Sequence, residues 1–218
     1  NRAVVLDQAG KAQRYDKIHI VPYGEYTPFK DYLSPEFHDK MNKMIGMGPS
    51  LSEGREYRLL KLKGVPFGVN ICFEDVFPQN SVIYANKGAK FLLTLTNDAW
   101  FKESVGGQQH TAHAVFRSIE TALPSLRSGN HSESCVVLPD GEIVDLMVDA
   151  KTGSRFSMGA QNIIFPYASQ PKATFYQGFP NILLFFIELI SLLSILVLFL
   201  QYLKKKSTVA DARKKEGF

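Results

Sequence analysis

Cys72 stands in Val69-Asn70-Ile71-Cys72-Phe73-Glu74-Asp75, where an apolar, β-rich run gives way to a polar, helix-compatible one. A thiol on such a strand-to-helix turn gains from the helix dipole and from backbone N–H groups that stabilise a thiolate or an oxyanion. A free cysteine also serves as a small buried hydrophobe, and that alternative holds for Cys72 taken alone. A second stretch shifts the weighing: Tyr15-Asp16-Lys17-Ile18-His19-Ile20-Val21-Pro22-Tyr23-Gly24-Glu25 sets a lysine and a carboxylate on one short extended segment. An ammonium held out of water can stabilise an oxyanion and lower the pKa of a neighbouring thiol, and a nearby carboxylate keeps it charged and aimed. The competing reading is a strand-edge lysine reaching to water beside a surface glutamate.

The elements that must position these groups follow from hydrophobic periodicity. Strand patterns run over 3–7, 15–20, 57–62, 67–72, 91–96, 135–138 and 143–147, and helical patterns over 79–87 and 108–123. Strands alternating with helices predict an α/β sandwich, here one domain of about 175 residues, large enough to bury a core. Asn97, Asp98 and Trp100 follow a buried strand, where α/β proteins place site residues, and are expected to shape the pocket. His110 and His113 share a helix face at i and i+3; with no third ligand nearby, hydrogen bonding or packing is expected of them rather than metal binding. Met41, Met44 and Met47 recur every three residues beside Phe29, Tyr32, Leu33 and Phe37, as a helix core or as an adaptable apolar flap. Cys135 opens an alternating strand and reads as core, and both cysteines are expected as free thiols.

Ile182 to Leu200 form a nineteen-residue run whose one charge is Glu188. As a helix it is roughly 28 Å long, close to the hydrocarbon thickness of a bilayer. From Lys204 onward six basic and two acidic residues carry +4, which equals the net charge of the whole chain. The preceding residues are therefore neutral overall, which argues against a nucleic-acid surface. The positive-inside rule puts the basic tail in the cytoplasm and the globular part across the membrane. The expected organisation is a domain over 1–178, a transmembrane helix over 179–203 and a basic cytoplasmic tail over 204–218.

These motifs, with Thr96-Asn97-Asp98-Ala99-Trp100-Phe101, Gln108-Gln109-His110 and the spaced set Arg117, Glu120, Pro124, Arg127 and Asn130, resemble the nitrilase (carbon-nitrogen hydrolase) superfamily, and within it most closely the apolipoprotein N-acyltransferases. The resemblance implies a nitrilase-like α-β-β-α sandwich followed by one C-terminal transmembrane helix. It implies Cys72 as nucleophile, Lys17 as the oxyanion-stabilising cation and Glu25 as a supporting carboxylate, with Phe73, Glu74, Asn97 and Trp100 at the substrate. It also implies acyl transfer from a phospholipid, through a cysteine thioester, to the N-terminal amine of an apolipoprotein, at a bacterial inner membrane with the catalytic domain on the periplasmic side. No metal or cofactor is expected. The general-base glutamate of such enzymes precedes the lysine, and no glutamate precedes Lys17 here; the chain is accordingly expected to be the C-terminal part of a longer membrane enzyme. A membrane-anchored amidase that passes the thioester to water, and a tethered domain without catalysis, are the alternatives.

Overall fold

The computed structural model describes residues 1–45, 50–102, 104–156, 159–164 and 166–215, with side chains throughout except Lys30, Ile45 and 206–215. Met47 and the end of the tail, 216–218, lie outside them. The chain divides into two units, Asn1–Gly178 and Phe179–Phe218.

The first unit opens with an antiparallel hairpin of β1 (Arg2–Leu6) and β2 (Ala12–Asp16), in which Ala3 lies opposite Tyr15. Its turn is closed by the Asp7 carboxylate, which accepts from the backbone of Ala9 and Lys11. Helix α1 (Pro35–Ile45) follows, and then β3 (Leu60–Leu62) and β4 (Val65–Ile71). Helix α2 (Pro78–Asn86) leads to β5 (Phe91–Asn97), and α3 (Gly106–Thr121) to β6 (Ser125–Asn130). β7 (Cys135–Val137) and β8 (Ile143–Val144) complete a six-stranded sheet ordered β3-β4-β5-β6-β7-β8. β4, β5 and β6 run parallel, each joined to the next through a helix, and the outer strands pair antiparallel.

Burial of apolar area holds this unit together. Ala3 and Tyr15 of the hairpin join Leu60, Phe67, Val69, Tyr84, Phe91, Leu92 and Leu123 in one cluster. Gly68 is required in it, because a Cβ there would sit 2.4 Å from the Tyr84 ring. The absent side chain lets α2 approach β4 closely enough for the Tyr84 hydroxyl to donate to the Val69 carbonyl at 2.9 Å.

Several expectations shift. The pattern over 15–20 is not a strand: β2 ends at Asp16, and Lys17 lies beyond it in irregular chain. β6 was hidden because Ser125-Leu126-Arg127-Ser128-Gly129-Asn130 has neither strict alternation nor an apolar run. Met41 and Met44 do fall on a helix, α1, yet Met44 is exposed, as are Phe29, Tyr32 and Phe37. The exposed alternative therefore describes this segment. Both cysteines are free, and Cys135 is core, with burial pushing its thiol up to about 11.

After the short α4 (Phe175–Gly178), the second unit is helix α5 (Ile182–Lys215). Its stretch Ile182–Lys205 is long and apolar enough to cross a membrane by length and composition, and its leucines, isoleucines and phenylalanines from Leu183 onward are exposed. The helix starts three residues after the expected boundary at 179 and continues through the basic residues instead of stopping at 203. Lysine and arginine are good helix formers, so a basic tail need not end a helix.

Candidate active site

β4 is buried from Phe67 through Asn70 and ends at Ile71, so the residue after it is delivered to the carboxyl edge of the parallel strands. That residue is Cys72, half-buried, with φ +53°. A left-handed backbone at a non-glycine residue is strained and persists only where its surroundings impose it. Here a 3-10 helix, Cys72–Val76, starts at the cysteine itself. Its far end is fixed by α3: Arg117 Nη1 donates to the carbonyls of Asp75 and Val76, both at 3.0 Å. Nε and Nη2 of the same guanidinium grip Glu120 at 2.7 and 2.8 Å.

Lys17 has no exposed surface, and its Nζ donates to both oxygens of Glu25 at 2.9 and 2.8 Å. The Val21 amide and the Asn1 side chain also donate to Glu25. The surface-lysine alternative is thereby excluded. An ammonium taken out of water needs such a partner, because desolvation alone strongly disfavours its charge.

Glu74 links the two segments. Its Oε1 accepts from the Tyr15 hydroxyl at 2.7 Å and from the amides of Ile18 at 2.7 Å and His19 at 3.2 Å. Its Oε2 accepts from the Ile71 amide at 2.8 Å. One buried carboxylate therefore ties the chain just after Lys17 to the residue just before Cys72. Burial pushes the Tyr15 phenol far above its ordinary range, with Tyr84 and Glu74 adding to the rise, so that it stays a donor.

A second network lies on the α3 side of Cys72. His110 Nδ1 is hydrogen-bonded with Asp98 Oδ1 at 2.8 Å and Nε2 with Asp75 Oδ1 at 2.9 Å. The outer oxygens of the same carboxylates accept from Arg127, Asp75 Oδ2 at 2.9 Å and Asp98 Oδ2 at 3.0 Å. Burial works to lower the His110 pKa, but the hydrogen bonds to Asp75 and Asp98 outweigh it and hold the ring up to about 9. Burial likewise works to raise Asp98, and the bonds from His110, Ser132 and Thr96 overcome it and hold the acid down to about 2. The Cys72 sulfur, a His110 nitrogen and an Asp98 oxygen lie within 4.8 Å of one another. With both ring nitrogens given to carboxylates, His110 keeps no lone pair for an ion.

Of the residues expected at the substrate, Phe73 lines an open cleft of about 540 Å³ with Ile18, His19, Tyr26, Leu51 and Phe77. Phe77 is stacked on His19 at 4.2 Å and meets Phe73 edge-on at 5.2 Å. Glu74 does not line this cleft: it is fully buried and engaged with four donors. Asn97 is the last residue of β5 and accepts from Asn130 at 3.1 Å, and Trp100, three residues further on, is 83% exposed. Asp75 and Arg127 were not anticipated as site residues. The signal available for α3 was its buried face, on which His110, Thr111, Ala114, Arg117, Ser118 and Thr121 recur at helical spacing.

The fold and the Cys72 turn define the class first: an α/β domain that presents a cysteine at the carboxyl end of a parallel strand. A family model described as carbon-nitrogen hydrolase matches residues 1–155, and the chain belongs to that family, with its nitrilase-like α/β fold. Apolipoprotein N-acyltransferase 2 of Treponema denticola is 38% identical over 154 residues, 67% of this chain and 29% of that protein. The apolipoprotein N-acyltransferase of Brucella suis biovar 1 is 29% identical over 208 residues, 94% of this chain and 37% of that protein. The chain thus spans about a third of the length of these curated relatives. Among solved structures, a carbon-nitrogen hydrolase from Helicobacter pylori G27 is similar in fold, with 19% identity and a TM-score of 0.50, over 67% of this chain and 52% of that one.

Proposed function

We propose that this chain is part of a membrane-bound N-acyltransferase that moves a fatty acyl chain from a phospholipid to the N-terminal amine of a diacylglyceryl-cysteine apolipoprotein. The observation that carries the reading is the buried Lys17, paired with Glu25 and joined through the Glu74 carboxylate to the Cys72 turn. In the first half-reaction the Cys72 thiolate attacks the donor ester carbonyl. A sulfur–carbon bond forms, the carbonyl electrons move onto oxygen, and Lys17 with local N–H groups stabilises that oxyanion. Collapse of the tetrahedral intermediate expels the lysophospholipid alkoxide, which takes a proton, and leaves a thioester on Cys72. In the second half the acceptor amine attacks the thioester, the carbon–sulfur bond breaks, and an amide is left with the thiol restored.

A general base must take the proton of the thiol and later that of the amine. Glu74 is committed to four donors and Glu25 to Lys17, so neither is free for the task. Turnover is accordingly expected of the whole protein and not of these residues alone. Phe73 and the aromatic cleft beside it, with Asn97 and Trp100 at the end of β5, are assigned to the acyl chain and acceptor. The exposed apolar groups Phe29, Tyr32, Phe37 and Met44 suit a surface that handles lipid.

Helix α5 anchors the domain in a bacterial inner membrane in this reading. The globular part then faces the periplasm and the basic C-terminus the cytoplasm. The test uses the whole protein in mixed micelles of detergent and phospholipid, with a synthetic diacylated lipopeptide as acceptor. The expected result is a gain of one acyl chain on the acceptor amine and an equal amount of lysophospholipid. Release of free fatty acid with no acceptor product would replace the transferase by a hydrolase.

A further inference from the structure

The buried network beside Cys72 closes into a ring: His110 to Asp98, Asp98 to Arg127, Arg127 to Asp75, and Asp75 back to His110. All four side chains are buried, and the Arg127 guanidinium and both carboxylates have no exposed side-chain surface. Two carboxylates against one guanidinium leave one negative charge over, next to the sulfur that must itself become an anion. A buried unpaired charge is costly, and a like charge within about 4–6 Å disfavours ionisation of a neighbour. Both ring nitrogens of His110 face carboxylate oxygens, an arrangement satisfied only when both carry protons.

We propose that His110 is a positioning residue for Cys72: its doubly hydrogen-bonded ring supplies the positive charge that brings the buried quartet to neutrality and lets the thiol ionise at the turn. The inference rests on Cys72 being the nucleophile. His110 touches no substrate in this account and takes no proton from one. Its charge acts across the 4.8 Å that bounds the cluster of sulfur, ring and Asp98. Its Nε2 also lies 3.3 Å from the Cys72 carbonyl oxygen, so the ring holds the turn as well as charging it.

The other groups facing the ring are consistent with this balance. From α3, His113 lies 6.4 Å away, centroid to centroid, and burial lowers its pKa against the opposing pull of Asp75, so it adds no competing charge at neutral pH. Arg117, also on α3, is taken up by Glu120 and by two carbonyls of the nucleophile's 3-10 helix. From the end of β5 comes Phe101, an uncharged ring at 6.4 Å. Asp75 from the 3-10 helix, Asp98 from the end of β5 and Arg127 from β6 are the quartet itself. The elevated His110 pKa agrees with the geometry.

The test is the rate at which Cys72 of the full-length protein is alkylated by iodoacetamide at neutral pH. The thiolate displaces iodide, and mass spectrometry separates the Cys72 peptide from that of the buried Cys135. His110→Gln keeps a donor but not the charge, and is expected to slow alkylation about ten-fold or more through a raised thiol pKa. The double variant H110Q/D75N restores neutrality and can keep a donor for every acceptor, and is expected to recover most of the rate. An unchanged rate in H110Q, or a double variant no faster than the single one, overturns the proposal, since a merely structural role would not be rescued by removing a negative charge. If H110Q does not fold, histidine-labelled NMR of the unsubstituted protein decides: a buried ring protonated on both nitrogens at neutral pH is expected, and its absence overturns the proposal. Alkylation needs neither acyl donor nor acceptor, so its failure and the failure of the acyl-transfer reading are told apart.

Discussion

Two carboxylate networks flank the Cys72 turn, and they are built on opposite principles. On one side Glu74 accepts from three backbone amides and a tyrosine hydroxyl, all neutral donors. On the other, Asp75 and Asp98 face an arginine and a histidine, both cationic in the proposed ring. The first network is a clamp: it fixes where the chain bearing Lys17 lies relative to the chain bearing Cys72. The second sets a charge. The Lys17 segment is thus tied to the Cys72 turn by one set of residues and the charge beside it set by another, even though Glu74 and Asp75 are adjacent in sequence, and His110 also touches the turn.

Substitutions that touch one network and spare the other sharpen that contrast. The largest effect is expected from Cys72→Ala, which should abolish acyl transfer while leaving the thermal midpoint nearly unchanged, as read by product mass and calorimetry. Lys17→Met removes the oxyanion partner and leaves Glu25 without its cation; kcat of the whole enzyme is expected to fall about 10²–10³-fold, the usual cost of losing one such donor. Glu74→Gln keeps the shape of the clamp but turns an acceptor oxygen into a donor facing donors. About 3 kcal/mol of stability should be lost, measured by urea unfolding of the full chain.

The charged network separates from the clamp by its pH dependence. His110 has a folded pKa raised from 6.5 to about 9, so its contribution is fully present below about 6.5 and is lost as pH rises through about 9. Asp98 is lowered from 3.8 to about 2, so its contribution is present above about 3.8 and is lost as pH falls through about 2. Thermal melts across pH should therefore show an alkaline loss that H110Q removes and Glu74→Gln retains. The smallest effect on stability belongs to Trp100→Ala, within about 0.5 kcal/mol at so exposed a site. If Trp100 meets the substrate, the same change should raise KM for the acceptor while sparing kcat.

The contrast also explains what was legible in the sequence. Cys72, Lys17 and Glu25 stand in short motifs that mark them out by residue type, and β4, α2, β5 and α3 carry clear hydrophobic patterns within a few residues of their observed ends. The role of Glu74 was not legible, because a carboxylate accepting from backbone amides leaves no partner residue to read. The ring was hidden for another reason: Asp75, Asp98, His110 and Arg127 come from separate stretches of the chain, and only the pairing of β4, β5 and β6 together with the packing of α3 brings them side by side. Arg127 lies on β6, whose polar sequence disguised a strand that is buried at Ser125 and Arg127. The exposure of Phe29, Tyr32 and Met44 was left open by spacing, since a helix face reads alike whether it meets a core or a lipid.

The most direct measurement is to incubate the full-length protein with phospholipid in the absence of acceptor and analyse the Cys72 peptide by mass spectrometry. The account expects one acyl chain on Cys72, removable by neutral hydroxylamine as a thioester is, and discharged when the acceptor amine is added. An unmodified Cys72 in a preparation that still acylates the acceptor would contradict it, because the acyl group would then travel by a route that bypasses this thiol.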